Sequence, residues 1–155
     1  MSTVTNNIPQ TVTQNNLQFE WANVLYNLAS LYSKLGATSP RNTTEGIKIA
    51  NNHFQRAAGV IKYLKDEVIP ELRSAPPEDM DQFSLEALES LMLAQAQECF
   101  WQKAVVDGNR DAVIARIAEQ VSEYYKLAED FGVKSNAISS VCGSQILPFP
   151  GTRYS

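Results

Sequence analysis

Apolar residues recur at spacings of three and four in four separate stretches of the chain, a pattern that predicts four amphipathic helices. The first spans about 17–35, with Leu17, Trp21, Val24, Leu25, Leu28, Leu31, Tyr32 and Leu35 as its expected core face. Asn15 with Gln18 predicts its N-terminal cap and Gly36 its C-terminal stop. Ala22, Ala29, Ser30 and Ser33 give the same helix small positions that a neighbour can approach closely. The second spans about 43–69 and carries Ile47, Ala50, Phe54, Ala57, Ala58, Ile61, Leu64 and Val68, with Asn42 and Glu45 as a capping pair. Gly59 inside it marks either a tight helix crossing or a merely tolerated glycine. Pro70, Pro76 and Pro77, followed by Glu78, Asp79 and Asp81, form a solvated connector. Ser84 is positioned to cap a third helix over 85–106, Gly108 and Asn109 interrupt it, and a fourth runs over 111–131 to Gly132. No stretch alternates as a strand does. The fold class is all-α, with long antiparallel helices in hairpins, residues 1–16 a disordered N-terminal tail and 135–155 an irregular one.

Composition narrows the function. In 155 residues, 44% are hydrophobic and 19% charged, a globular mix with enough apolar surface for one core. A net charge of -4 removes the attraction on which nonspecific nucleic-acid binding depends, so no nucleic-acid partner is expected. No run of apolar residues reaches the length of a transmembrane helix, and the N-terminus lacks the basic start and apolar middle of a secretion signal, so the expected location is cytoplasmic. Two cysteines, Cys99 and Cys142, and one histidine, His53, do not furnish a zinc site or a di-iron bundle; neither a metal nor a cofactor is expected. Nucleophile elbows, zinc-protease motifs and phosphate loops are missing, which argues against an enzyme. Cys99, set among Ala96, Phe100 and Trp101, reads as a buried, inert thiol.

The fourth helix is where the pattern exceeds what a simple core needs. Its apolar residues, from Val113 and Ile117 through Val121 and Tyr124 to Tyr125 and Ala118, span about 180° of the helix, where one core contact needs somewhat more than ~100°. Either this helix is sandwiched between two neighbours, or an edge containing Val113 and Ile117 faces solvent as a docking strip. Phe100 and Trp101 pose the same question in the third helix, because adjacent residues point in different directions. A groove between antiparallel helices suits an amphipathic helix laid along it.

The run LMLAQAQECFWQKAV (91–105), then Asp107, RDAVIARIAEQ and the Tyr124–Tyr125 pair, resembles the Bro domain of Alix, PalA and their relatives. FEWANVLYNLASLYS (19–33) and TTEGIKIANNHFQRAAGV (43–60) match the family's preceding helices in order, and PPEDMD before LEALES is most similar to the fungal pH-response branch. The resemblance implies that 17–134 is part of a boomerang-shaped helical domain with a tetratricopeptide-like solenoid core. It also implies a non-enzymatic protein-binding module of the endosomal sorting machinery, recruited from the cytoplasm to endosomes through its partner. That partner is the C-terminal amphipathic helix of the core ESCRT-III filament subunit. In the family the helix docks on an apolar patch whose positions fall here on Phe100, Val113 and Ile117, with Thr44, Ile47 and Lys48 near the rim. Thr44 replaces an acidic residue of some members. The family domain is more than twice this length, and after 137–140 the chain departs into VCGSQILPFPGTRYS, which suggests a truncated product. The alternative function is therefore a non-binding or self-associating helical remnant.

Overall fold

The structure is a computed structural model that describes residues 8–139. Among these it contains α1 (Ile8–Thr38), α2 (Thr44–Tyr63), α3 (Gln82–Val106) and α4 (Asp111–Lys134), and no strand. The order of packing follows the order of the chain: α1 on α2, α2 on α3, α3 on α4. Two antiparallel hairpins thus stack side by side, with α2 and α3 each enclosed on two sides. Among the described residues no helix is long and apolar enough to cross a membrane.

α1 begins at Ile8, so most of the stretch expected to be a disordered tail is helical, and Asn15 falls inside the helix and not at its N-terminus. Pro9 falls in the first turn, where its missing N–H has no intrahelical partner to lose, and no breaker follows it. The helix also runs through Gly36 to Thr38. Of the large apolar face that the spacing suggested, Leu25 is buried and Tyr32 packs against the core. Ala22, Leu25 and Ala29 face the core, while Leu17, Trp21, Val24, Leu28, Leu31 and Leu35 remain exposed. The small residues let α1 approach α2 closely, and Ala50, Phe54, Ala57, Ala58 and Ile61 of α2 fill the same core cluster.

Thr43, not Asn42, caps α2: its side-chain oxygen accepts from the Gly46 N–H at 3.1 Å. Gly46 itself is pressed against the preceding chain, where a β-carbon would lie 1.8 Å from the Pro40 carbonyl oxygen. Gly59 has open space beside it, so it marks no helix crossing. Gly59→Ala should accordingly stabilise the chain by about 0.5–1 kcal/mol, read as a raised melting temperature with an unchanged circular dichroism spectrum. α2 widens into a π turn at Leu64–Val68 and ends in a short tight turn at Ile69–Glu71, where Pro70 lacks the N–H that would continue the ladder.

α3 starts at Gln82, three residues earlier than the spacing implied, because Asp81 is its cap and accepts from the Ser84 N–H at 2.7 Å. That frees the Ser84 hydroxyl for a buried role. It lies 3.1 Å from the Glu78 carbonyl and 2.5 Å from the Ser135 hydroxyl, which is itself 3.2 Å from the Ile138 N–H. The proton order is then fixed: Ile138 N–H donates to Ser135, Ser135 to Ser84, and Ser84 to the carbonyl. The relay ties the end of α4 to the start of α3. α4 passes through Gly132 to Lys134, and after Ser135 residues 136–139 form one further helical turn where an irregular tail was expected. The remainder of that expected tail, 140–155, and residues 1–7 lie outside the described residues.

One ion cluster links the α2 end to α3. Lys65 Nζ lies 2.6 Å from Glu89 and 3.0 Å from Glu86, with the lysine side chain mostly buried. Burial pulls its pKa down, but the two carboxylates outweigh this and hold it above the ordinary lysine value of 10.5. A raised lysine pKa contributes stability that is complete below 10.5 and is lost as pH climbs through the folded-state value. Denaturant titration should show Lys65→Met removing a stability increment at pH 7 that shrinks above pH 10.5.

Candidate functional site

α3 carries two distinct buried faces. Leu85, Met92, Ala96 and Cys99 belong to the core shared with α1 and α2, whereas Ala87, Ala94 and Ala104 are buried apart from it. Between these faces, at one edge of the helix, stands Phe100, 49% exposed in spite of its size. Trp101, the next residue, turns inward and is half-buried.

An open cleft of about 300 Å³ lies beside Phe100, lined by Ile47, Lys48, Asn51, Asn52, Cys99 and Lys103. α2 supplies one wall and α3 the other, and a hydrogen bond of 2.6 Å from the Asn51 side-chain amide to the Ala96 carbonyl pins the walls together. Ile47 is buried and forms the floor, not the rim that the resemblance implied. Thr44 is half-buried in the first turn of α2, and Lys48 is exposed. Cys99 has no exposure, and burial pushes its thiol pKa up, which leaves it protonated and unreactive. Lys103 pairs with Asp107 one turn further along. The cleft is therefore apolar at the bottom and polar at the lip, where Lys48 carries a charge outside the Lys103–Asp107 pair.

The same face continues onto α4. Gln97 donates to the Gln120 side-chain oxygen across the α3–α4 seam at 2.7 Å, and with Glu123, Tyr124 and Leu127 these residues line a second open cleft of about 270 Å³. One turn on from Gln97 is Phe100, and two turns back from Gln120 is Val113. In an antiparallel hairpin both steps lead toward the α3–α4 turn, so Phe100 and Val113 share this face. Val113 is 44% exposed.

Ile117 is different. It is only 6% exposed, one of two buried residues in α4, and it sits in the contact with α3. The expectation of an open edge containing both Val113 and Ile117 thus fails for Ile117. The physical reason is the direction of packing: among the described helices α4 packs extensively on α3, with Ile117 in that contact, and both edges of the wide apolar arc stay open. Val113 and Leu127 lie along one edge and Ala118 and Tyr125 along the other. Tyr125 donates to Glu98 at 2.8 Å, and burial first, then this carboxylate, raises its pKa.

Asn51, Asn52 and Lys103 were not singled out from the sequence, although helical spacing carries the signal. Asn51 and Asn52 follow Lys48 by three and four residues, and Lys103 follows Phe100 by three.

Comparison with known proteins places this geometry in a family. A family model for the BRO1-like domain matches residues 3–149, which extends past both ends of the span covered by the motifs above. The chain is 57% identical over 133 residues to the pH-response regulator protein palA/RIM20 of Emericella nidulans, covering 86% of this chain and 16% of that one. It is 55% identical over 128 residues to palA/prr-1 of Neurospora crassa, covering 82% and 15%. Among solved structures, the ALIX BRO1 CHMP4C complex aligns with a TM-score of 0.72 at 36% identity, over 77% of this chain and 33% of that one. The chain spans about a sixth of the length of the fungal regulators it matches. The chain belongs to the BRO1-like domain family.

Proposed function

We propose that the chain is a protein-binding module of the endosomal sorting machinery that docks the C-terminal amphipathic helix of the core ESCRT-III subunit, serving the alkaline pH-response pathway. The observation that carries the reading is the exposure of Phe100 at an open cleft, with Val113 exposed on the same face. Contiguous apolar surface left open beside a groove marks a partner site, and Phe100 and Val113 supply it on one face. Two relations support the choice of partner. The solved ALIX BRO1 structure is a complex with CHMP4C, and the fungal relatives are named as pH-response regulators. Lys48, exposed at the lip, suits a helix with an acidic residue flanking its apolar stripe.

The mechanism is burial. The partner's apolar face covers Phe100 and Val113 while buried Ile117 and Ile47 support them from below, so the ledge is preorganised and little is lost in ordering it. The role contains no catalytic step and needs no cofactor. Endosomal recruitment follows from the partner, which holds the chain at the membrane. Fluorescence anisotropy with a labelled ESCRT-III C-terminal helix tests the reading. Saturable binding on the order of micromolar, lost when the apolar face of the peptide is replaced by serine, is expected. No saturation up to the order of millimolar would contradict it.

A further inference from the structure

A single polar tie stands at the inner end of the cleft. Helical spacing puts Asn51 on the border of α2 between its core face, with Ala50 and Phe54, and the cleft wall, with Lys48 and Asn52. Its side-chain amide donates to the Ala96 carbonyl of α3 at 2.6 Å, and its side-chain oxygen accepts from the Gln55 amide, one turn on, at 2.8 Å. The second bond orients the first: with the oxygen held by Gln55, the NH2 group is turned toward α3. Alanine at 96, itself buried, leaves the carbonyl within reach of a side chain from the neighbouring helix. Among the described residues this is the one side-chain hydrogen bond between Thr44–Tyr63 and α3.

The acceptor links this tie to the docking ledge. In an α-helix the carbonyl of residue 96 receives the N–H of residue 100, so Asn51 uses the second lone pair of the group that holds the Phe100 backbone. Toward the open end of the cleft, Ile47 and Cys99 are buried between the two helices. We infer that Asn51 is a positioning residue for helix docking, a role that rests on the docking reading above: by clamping the Ala96 carbonyl it fixes the spacing of the cleft walls and the stance of Phe100, and so the affinity for an amphipathic helix laid over that ring. Donor, acceptor and the orienting Gln55 all lie within α2 and α3, so the clamp does not depend on further chain. An apolar side chain at 51 would fill the seam yet leave the walls free to slide. The directional amide bond removes that freedom before the partner arrives, and less is lost in ordering the cleft.

Asn51→Asp keeps the shape and sets a charged acceptor against a carbonyl. The affinity of the 155-residue protein for a labelled ESCRT-III C-terminal helix should fall roughly three- to thirtyfold. In the unliganded protein the Phe100 amide should exchange with solvent faster, out of step with the rest of α3. Gln55→Met, at an exposed position, should weaken binding by a smaller factor with the melting temperature unchanged. Ile61→Val trims the same core away from the clamp, and should lower the melting temperature while leaving affinity and the Phe100 amide as they were. Parental affinity in a folded Asn51→Asp, or a Phe100 amide that exchanges in step with its helix, overturns the inference and leaves the docking reading standing. Should Asn51→Asp fail to fold, Gln55→Met decides, and parental affinity there overturns it equally. A parent protein that does not bind the helix overturns the docking reading and the clamp's role together.

Discussion

Phe54→Ala should cause the largest loss of stability among single core truncations in this chain. Phe54 is the largest of the fully buried side chains, at 1% exposure, and its ring fills the gap between α1 and α2. Gly36 of α1 is packed so tightly against it that a β-carbon there would lie 2.9 Å from two ring carbons. The Arg41 guanidinium closes the site from the connecting loop, 5.6 Å from the ring centroid. Truncation therefore leaves a cavity that the rigid glycine contact does not fill, and phenylalanine-to-alanine changes of this kind cost about 3–5 kcal/mol. Against a total stability of roughly 5–15 kcal/mol, the loss should lower the melting temperature by roughly 6–20 °C. A double-mutant cycle identifies the cause. Gly36→Ala alone should destabilise by crowding the ring, and Gly36→Ala with Phe54→Leu should cost less than the two separate changes combined. Additive costs would place the tight contact elsewhere.

The second large effect is on binding, and it separates a surface residue from a core residue on neighbouring helices. Phe100→Asp changes a half-exposed side chain, so the helical spectrum and melting temperature should stay near those of the parent. A buried phenylalanine contributes about 1.5–3 kcal/mol, and a charge in its place adds an unpaired carboxylate to the interface, so affinity for the ESCRT-III helix should fall at least about tenfold and up to roughly a hundredfold or more. Val113→Asp should act in the same direction with a smaller effect. Ile117→Asp should behave otherwise. Its side chain is enclosed between α3 and α4, and an unpaired charge there should destabilise the α3–α4 hairpin, so any loss of binding comes with a lost or broadened melting transition. Circular dichroism beside the binding titration distinguishes the outcomes.

The contrast between Val113 and Ile117 shows how far the sequence carries. A helical wheel gives each residue's angle about its own axis, and it correctly makes the apolar arc of α4 wider than one contact requires. It does not give the direction in which α3 approaches, and that direction decides which part of the arc is closed. α1 repeats the lesson more sharply. Its large apolar residues and its small ones form two seams, and hydrophobicity alone favours the large seam as the core. The close α1–α2 approach, permitted by Ala22 and Ala29 and matched by Ala50 and Ala57, selects the small one.

Helix ends were less legible than helix centres for a related reason. Asn42 and Ser84 are good caps in isolation, but Thr43 and Asp81 compete for the same role one and three residues away, and tertiary demands decide between them. Ser84 is committed to the buried relay with Ser135, a contact 51 residues distant that no local pattern announces. By contrast, Phe100 was legible twice, as an aromatic beside another aromatic that points elsewhere and through the alanine-glutamine run that carries the family resemblance. The adjacent aromatics alone leave open whether Phe100 is enclosed or exposed, and the structure leaves it 49% exposed.

Methyl and aromatic NMR during titration with the ESCRT-III helix addresses the docking ledge most directly. Binding should shift the Val113 methyl and Phe100 ring signals first and most strongly, move Ile117 and Ile47 modestly from beneath, and leave Val24 and Leu31 of α1 in place. Saturating shifts confined to α1, with Phe100 and Val113 silent, would contradict the proposed docking face.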